Sequence, residues 1–409
     1  MKKSPTVLAI LVAACQILAL NFANSFTQNF DASNLPNDFN FGSGGQNKNT
    51  WINGADSEIE EGSKVIKLAI VPENAAYPWQ GPNFTSKRFT LFGRYSARIK
   101  IPGVQNQPNV GGVVGFYTYY NDLYNNEQEK DMNGNGLSDN SEIDFEWLIA
   151  NPQLVYLTAW TDYEEETNDC KKIARIVNLA TGQILTTNYS TKLGSSGTNL
   201  SGVENNPSTI PVIPNFDASQ KFYTYGFDWK TDNIRWWIIN PNNEADTIVL
   251  WDYKGNTEMI TQKPAFLMFN FWHTNDWAAE GKPQSKQRPN ETFWAEFDWV
   301  KYEVLSDIEN GGGNPITQKN IPRSKTAETV NAAIVNGQLN LYAFDGAKSA
   351  DVALYDLRGR LLFQRNTALN GNFTSIALPK SIIKKQTVIL RVKTDSGLNL
   401  TKRILIKGQ

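Results

Sequence analysis

The sequence predicts an all-β protein, a large antiparallel β-sandwich followed by a smaller C-terminal β-sandwich. Three observations carry this expectation. From about residue 26 to 306, the 409-residue chain is a succession of short alternating or aromatic runs separated by Gly, Asn, Asp and Pro, with hardly any helical periodicity. Those runs are rich in β-branched and aromatic side chains, which suit a pleated, half-buried surface. The composition, 40% hydrophobic and 20% charged, is ordinary for globular protein and allows a packed core.

Taken in order, the chain opens with "MKKSPTVLAILVAACQILALNFANS". Lys2 and Lys3 precede an apolar run from Val7 to Leu20, and small residues follow at Ala23 and Ser25. Residues 1–25 therefore read as a secretory signal peptide, and a secreted or cell-surface location is expected. The "VAAC" before Gln16 resembles a lipoprotein cleavage site, but cutting there leaves only Val7 to Leu11 as an apolar core, so cleavage near residue 25 is favoured. Residues 26–306 supply the strand runs "KVIKLAIV", "GRYSARIKI", "GGVVGFYTYY", "QLVYLTAW", "KFYTYGFDW", "NIRWWII", "PAFLMFNFW" and "FWAEFDWVKYEV". Two curved sheets of such strands leave a concave face on which a polymer can lie. "DIENGGGNPITQKNIPRSKT" then reads as a flexible linker, placed at 307–328. Beyond it, 329–409 holds "VNGQLNLYAF", "ADVALYDLRGRLLFQ", "QTVILRVKT" and "LTKRILIKG", enough for a small domain.

Composition narrows the chemistry. With 39 basic and 41 acidic residues, the formal net charge of −2 provides no basic field for nucleic acid and no polybasic membrane patch. A monomer is expected. There is one histidine, His273, so a His-rich metal site is excluded, and a Ser-His-Asp or Cys-His mechanism would have to recruit that residue alone. Carboxylates lead for acid–base work. Of the two cysteines, Cys15 falls in the signal segment, which leaves Cys170 without a disulfide partner. The 12 tryptophans offer flat faces for stacking on sugar rings, although core packing accounts for many of them.

Within this frame "SEIDFEW" stands out. Glu142, Asp144 and Glu146 alternate with Ile143, Phe145 and Trp147, so a period of two places the acids on one face and the apolar groups on the other. Crowding like charges in a half-buried sheet raises at least one pKa, a cost that a purely structural strand has little reason to carry. A solvated strand face is the plain alternative. Paired carboxyl groups roughly 5 to 5.5 Å apart serve retaining glycosidases as nucleophile and acid/base. Residues i and i+4 of a strand lie about 13 Å apart at the backbone, so Glu142 and Glu146 would have to converge over a curved or twisted strand, with Asp144 between them separating their pKa values.

The chain resembles glycoside hydrolase family 16, which includes lichenases, laminarinases and plant xyloglucan endotransglycosylases/hydrolases. "EIDFE" carries the likeness, lacking the extra residue that laminarinases usually have before their last Glu, and "GRYSARIKIP", "GGVVGFYTYY", "YTYGFDWKTDNIRWWI", "FNFWHTNDWA" and "FDWVKYEV" accompany it in family order. The resemblance implies a β-jelly-roll with a concave substrate cleft and retaining endo-β-glucanase activity, with no cofactor required for catalysis. It makes Glu142 the nucleophile, Asp144 the assisting acid and Glu146 the general acid/base. It further implies substrate contacts from Arg98, Tyr117, Tyr119, Tyr156, Trp160, Trp236 and Trp272, for each of which core packing is the alternative. Ser96 stands where family members often have a glutamate, so subsite chemistry can differ. His273 in "WHTNDW" reads as a subsite hydrogen-bond group or a bystander.

The stretch "DMNGNGLSDNSE" fits a calcium-loop pattern, with Asp131, Asn133, Asn135 and Asp139 as ligands, or else an Asn/Gly turn, since its twelfth position is Glu142 and a strand follows. Family members often hold a structural calcium on the convex side, where Asp298 is the matching side chain. The last 81 or so residues resemble type IX secretion sorting domains, implying the secretion machinery as a partner beside a polysaccharide substrate; all 12 tryptophans precede residue 300, which argues against a stacking sugar-binding module. A non-catalytic sugar-binding protein on the same fold, or an enzyme acting on β-1,3-glucan or a galactan, are the alternative functions.

Overall fold

The computed structural model describes residues 23–31, 36, 38–43, 51–54, 56, 58, 63–72, 81–121, 131, 135–305, 331–335, 338–342, 348–355, 361–369, 373–382, 386–395 and 399–406. Residues 1–22 of the expected signal peptide and the whole 307–328 linker lie outside these. The first described residue, Ala23, donates its N–H to the Phe89 carbonyl at 2.7 Å.

Strands follow one another as the runs in the sequence require: β1 (Phe26–Asn29), β2 (Phe39–Ser43), β3 (Trp51–Gly54), β4 (Val65–Ile70), β5 (Pro82–Thr90), β6 (Gly93–Lys100), β7 (Gly112–Asn121), β8 (Asp139–Leu148), β9 (Leu154–Glu164), β10 (Asp169–Asn178), β11 (Gln183–Lys192), β12 (Thr198–Asn199), β13 (Tyr223–Trp229), β14 (Ile234–Ile239), β15 (Thr247–Tyr253), β16 (Ala265–His273) and β17 (Phe293–Val304). They pair antiparallel into two sheets. One runs β12-β11-β10-β9-β8-β7-β16-β5-β2, and the other β15-β14-β13-β6-β17-β4-β3 with β1 beside β17. The acidic run is β8, fifth of nine in the first sheet, where both edges are paired and register is most strongly specified.

Period-two alternation decides what each sheet buries. Ile143, Phe145 and Trp147 of β8 are fully buried between the sheets, as are Tyr95, Ala97 and Ile99 of β6. The layers interlock through rings: Phe145 lies 5.1 Å from Tyr225, Phe116 lies 5.9 Å from Phe227, and Phe269 lies 4.8 Å from Phe297. Each fully buried side chain of this kind contributes about 1.5–3 kcal/mol relative to exposure. An Asn151–Pro152 turn reverses β8 into β9, with the Asn151 N–H on the Leu148 carbonyl at 2.9 Å and the Leu154 N–H on Asn151 at 3.1 Å.

One buried cation breaks the apolar pattern. Arg175 of β10 has no exposed surface, yet its guanidinium donates to Thr187 Oγ1 at 3.0 Å, to the carbonyls of Pro207 at 3.0 Å and Leu250 at 2.8 Å, and to Asn205. Burial lowers its pKa to about 10, so it stays charged at neutral pH, and four neutral oxygens tie β10 to β11, β15 and the 205–207 loop.

In the C-terminal region β18 (Asn331–Val335), β19 (Gln338–Tyr342) and β22 (Phe373–Ala377) form one sheet, and β20 (Ser349–Tyr355), β21 (Leu361–Ala368), β23 (Gln386–Thr394) and β24 (Asn399–Ile406) form another. A separate core of Leu339, Leu341, Val352, Leu354, Ile376, Val388, Leu390 and Val392 lies among them.

Candidate functional site

On the face of the nine-stranded sheet turned away from the core, cross-strand pairing builds rows of side chains. One row reads Lys172, Trp160, Glu142, Tyr119 and Phe266; the next reads Ala174, Thr158, Asp144, Tyr117 and Met268; the third reads Ile176, Tyr156, Glu146, Gly115, Asn270 and Asn83. All three carboxylates thus occupy one face, as the alternation predicts. A groove of about 290 Å³ opens over them, lined by Asn83, Tyr117, Tyr119, Met268, Asn270 and Trp272 besides the acids.

The acids stand in unlike settings. Glu142 Oε2 accepts a hydrogen bond from Asn140 Nδ2 at 2.8 Å. Asp144, 3% exposed, accepts from the Thr158 hydroxyl and from Trp160 Nε1 at 3.2 Å. No donor among the described residues reaches the Glu146 carboxyl. Burial and then the Asp144 charge push the pKa of Glu146 well above the usual carboxylate range, and the same two causes act on Glu142, opposed by Asn140. Asp144 is raised to about 6 by burial, with the Thr158 hydrogen bond the foremost opposing effect. An acid with no donor beside an acid rich in donors is the arrangement that separates a proton carrier from a carboxylate.

Beneath the strand, Trp236 Nε1 donates to the Asp144 carbonyl at 2.9 Å. Opposite Glu146, Gly115 leaves open the space that Asn270 Oδ1 faces, since a Cβ there would stand 2.6 Å from that oxygen. Tyr117, which faces the same groove, has its hydroxyl fixed by Asn83 Nδ2 and Asn270 Nδ2, each at 3.1 Å.

Of the side chains expected to line the groove, Tyr117, Tyr119 and Trp272 do so, and Trp160 lies beside it, bonded to Asp144. Tyr156 faces the same way but is covered: it is 4% exposed, packs against Trp277 at 5.4 Å and accepts the Glu280 N–H at 2.8 Å. Two expectations need correction. Trp236 has no exposed surface, because its position on β14 points between the sheets, where it stacks on Trp251 at 4.9 Å. Arg98 sits on the outer face of the other sheet, since its inward neighbours Ala97 and Ile99 fill the core; it pairs with Asp298 at 2.6 Å and lies 4.8 Å over Phe222.

That pairing also bears on the convex-side calcium. The Asp298 carboxylate is engaged by the Arg98 guanidinium. In the Asp131–Asp139 stretch, Asn133 lies outside the described residues. Asp131 accepts the N–H groups of Asn135 at 3.0 Å and Gly136 at 2.8 Å, and Asp139 pairs with Lys263 at 2.5 Å. His273 points into the sandwich at 2% exposure, and burial followed by the Arg288 charge lowers its pKa; it is a neutral bystander to the groove.

Lys172, Thr158, Asn140, Asn83 and Asn270 complete the site without having been singled out for it by sequence. Asn140 lies two residues before Glu142 on β8 itself, whereas partner-strand register reveals the others: Thr158 pairs with Asp144, and Lys172 with Trp160.

The raised carboxyl pKa values tie stability to pH. The folded state holds protons that the unfolded chain, with Glu near 4.3 and Asp near 3.9, has released, so the site's contribution to stability is most favourable near about pH 4 and is lost as pH rises through the folded values. Glu142→Gln, which removes one charge, should raise Tm at pH 7 by about 2–4 °C for each kcal/mol of repulsion relieved, with the gain vanishing near about pH 4. Thermal unfolding followed at both pH values checks this; an equal Tm at pH 7 would count against crowded charges.

Together these features define a β-sandwich with a row of three crowded carboxyl groups on the floor of an open groove. No protein-family model matches the chain. It is similar to the β-glucanase of Brevibacillus brevis, 32% identical over 94 residues that make up 23% of this chain and 32% of that one. It is also similar to a β-glucanase of Acetivibrio thermocellus, 24% identical over 274 residues, or 64% of this chain and 60% of that one. The chain thus spans from about a third to three-fifths of the length of these curated relatives. Among solved structures, a prokaryotic β-1,3-1,4-glucanase (lichenase) derived from a mouse hindgut metagenome is 16% identical, with 69% of this chain and all of that chain covered at a TM-score of 0.39.

Proposed function

We propose that this protein is a glycoside hydrolase of family 16, an endo-β-glucanase that cleaves the O-glycosidic bonds of a mixed-linkage or xyloglucan-type β-glucan with retention of configuration. The observation that carries the reading is the placement of Glu142 and Glu146 on one face of β8, with Asp144 between them and unlike hydrogen-bonding around each. Similarity to bacterial β-glucanases supports the substrate class.

In the first step the Glu142 carboxylate attacks the anomeric carbon. The bond to the leaving oxygen breaks with its electron pair, and that oxygen takes the proton held by Glu146. A glycosyl ester on Glu142 results. Glu146, now a carboxylate, removes a proton from water, which attacks the same carbon and returns Glu142 to its free form. Asp144, held by Thr158 and Trp160, keeps a charge beside Glu146 that favours its protonated form between turnovers.

A purely sugar-binding protein on the same fold has no use for a raised-pKa pair that costs stability at neutral pH. Incubation with barley β-glucan, laminarin, xyloglucan and agarose, followed by reducing-sugar assay, separates the readings: release from a β-glucan is expected, and release from none favours the binding protein. Export by the leader, and sorting of residues 329–409 by type IX secretion machinery, are part of the proposal. A chain ending at residue 306 should keep its activity in the same assay yet stay in the periplasm of a type IX host; its appearance in the medium contradicts sorting.

A further inference from the structure

Lys172 ends the row that runs through Trp160 to Glu142, and it plays no part in the scheme above. It lies on β10, where a register shift between Lys171 and Lys172 sets it opposite Trp160. Among the described residues its ammonium makes no direct ion pair with a carboxylate; it rests on the indole face of Trp160, 4.2 Å from the ring centroid. That same indole donates through Nε1 to Asp144, and Trp160 pairs in register with Glu142. Lys172 is half-buried, and Arg175, three residues along on the opposite face, ties the strand that carries it to β15 and the 205–207 loop.

We infer that Lys172 is a positioning residue for the proposed hydrolysis, a fixed cation that balances the carboxylate row and, through Trp160, holds Asp144 in its charged form. The inference rests on the hydrolase reading. Every titratable group that faces it bears on the test. On β8 these are Glu142, Asp144 and Glu146, each of which it stabilises in the ionised state, and on its own strand Cys170. On β9, Asp162 is engaged by Asn135 and Thr161, and on β11 the residue opposite is the uncharged Ser190.

Removing the ammonium raises the proton affinity of all three acids. Glu142 then needs a higher pH to become a nucleophile, and Glu146 keeps its proton to a higher pH, so both limbs of the rate profile move the same way. With the full chain, Lys172→Met should shift the pH profile of kcat/KM on β-glucan toward alkali by about one unit, the size of effect a nearby charge exerts. At a pH on the acidic limb the rate should fall about tenfold, while Lys172→Arg keeps the wild-type profile. A profile lowered uniformly at every pH, or an Arg variant that behaves like Met, overturns the inference. Carboxyl-carbon NMR titration of glutamate-labelled wild type and Lys172→Met gives a readout independent of turnover. If the wild type cleaves no β-glucan but the carboxyl titrations move to higher pH in the variant, the hydrolase reading fails and the charge-balancing role stands. Unmoved titrations refute that role whatever the activity.

Discussion

Glu142→Ala should lower turnover of β-glucan by about 10⁵-fold or more, the scale on which losing a covalent nucleophile acts. Azide should then restore reaction with an activated aryl glycoside and give a glycosyl azide of inverted configuration, because a small anion fits where the carboxylate was. Glu146→Ala should respond in the opposite sense. It loses about 10²–10⁴-fold on substrates with poor leaving groups, as the removal of a general acid does, but still forms the glycosyl ester when the leaving group needs no proton. Azide intercepting that ester yields product of retained configuration. The two stereochemical outcomes separate the roles more sharply than the rates do. Near-wild-type activity in either alanine variant, or the same azide product from both, removes the assignment.

The largest effect on stability is expected away from the acids, at Trp236. Its indole is wholly buried, stacked on Trp251, and hydrogen-bonded to the backbone of Asp144. Trp236→Ala deletes the ring and leaves a cavity under the carboxylate strand, a change that costs about 3–5 kcal/mol. Trp236→Phe keeps most of the packing and removes only the N–H, which should cost about 1–3 kcal/mol for the carbonyl left unpaired. Urea unfolding measures both. Because the lost bond ends on the Asp144 backbone, the Phe variant should also lose activity at a temperature where it remains folded. A stable, fully active Trp236→Ala variant contradicts the idea that this tryptophan supports the site from below.

That residue also shows where sequence is informative and where it is not. The runs "GRYSARIKI", "GGVVGFYTYY", "NIRWWII" and "PAFLMFNFW" all form strands, since alternation and β-branched content act locally, and the face of β8 follows from a period of two. Which way a neighbouring strand turns its alternating sets is a matter of pairing. Trp236 and Trp237 are adjacent tryptophans on opposite faces, and nothing local says which one meets the core. Arg98 shares this ambiguity two strands away in the same sheet. Thr158 and Lys172 become parts of the site only through the β8–β9–β10 register, and a bulge displaces that register at Lys172 itself. The acids were legible because all of them lie in one strand; the donors to Asp144, Thr158 and Trp160, were not, because they come from β9.

Two-residue periodicity in β8 has a consequence for anyone building variant libraries of this protein. Substitutions can be sampled there one side chain at a time, but lengthening or shortening the strand by a single codon exchanges its two faces. Glu142, Asp144 and Glu146 would then be driven among Phe116, Phe227 and Tyr225, while Ile143, Phe145 and Trp147 emerged into the groove. Length variation is therefore quantised at this locus: a one-codon change is lethal to fold and site together, and diversity in length has to be taken up in turns such as Glu165–Asn168, which sit outside the paired segments β9 and β10.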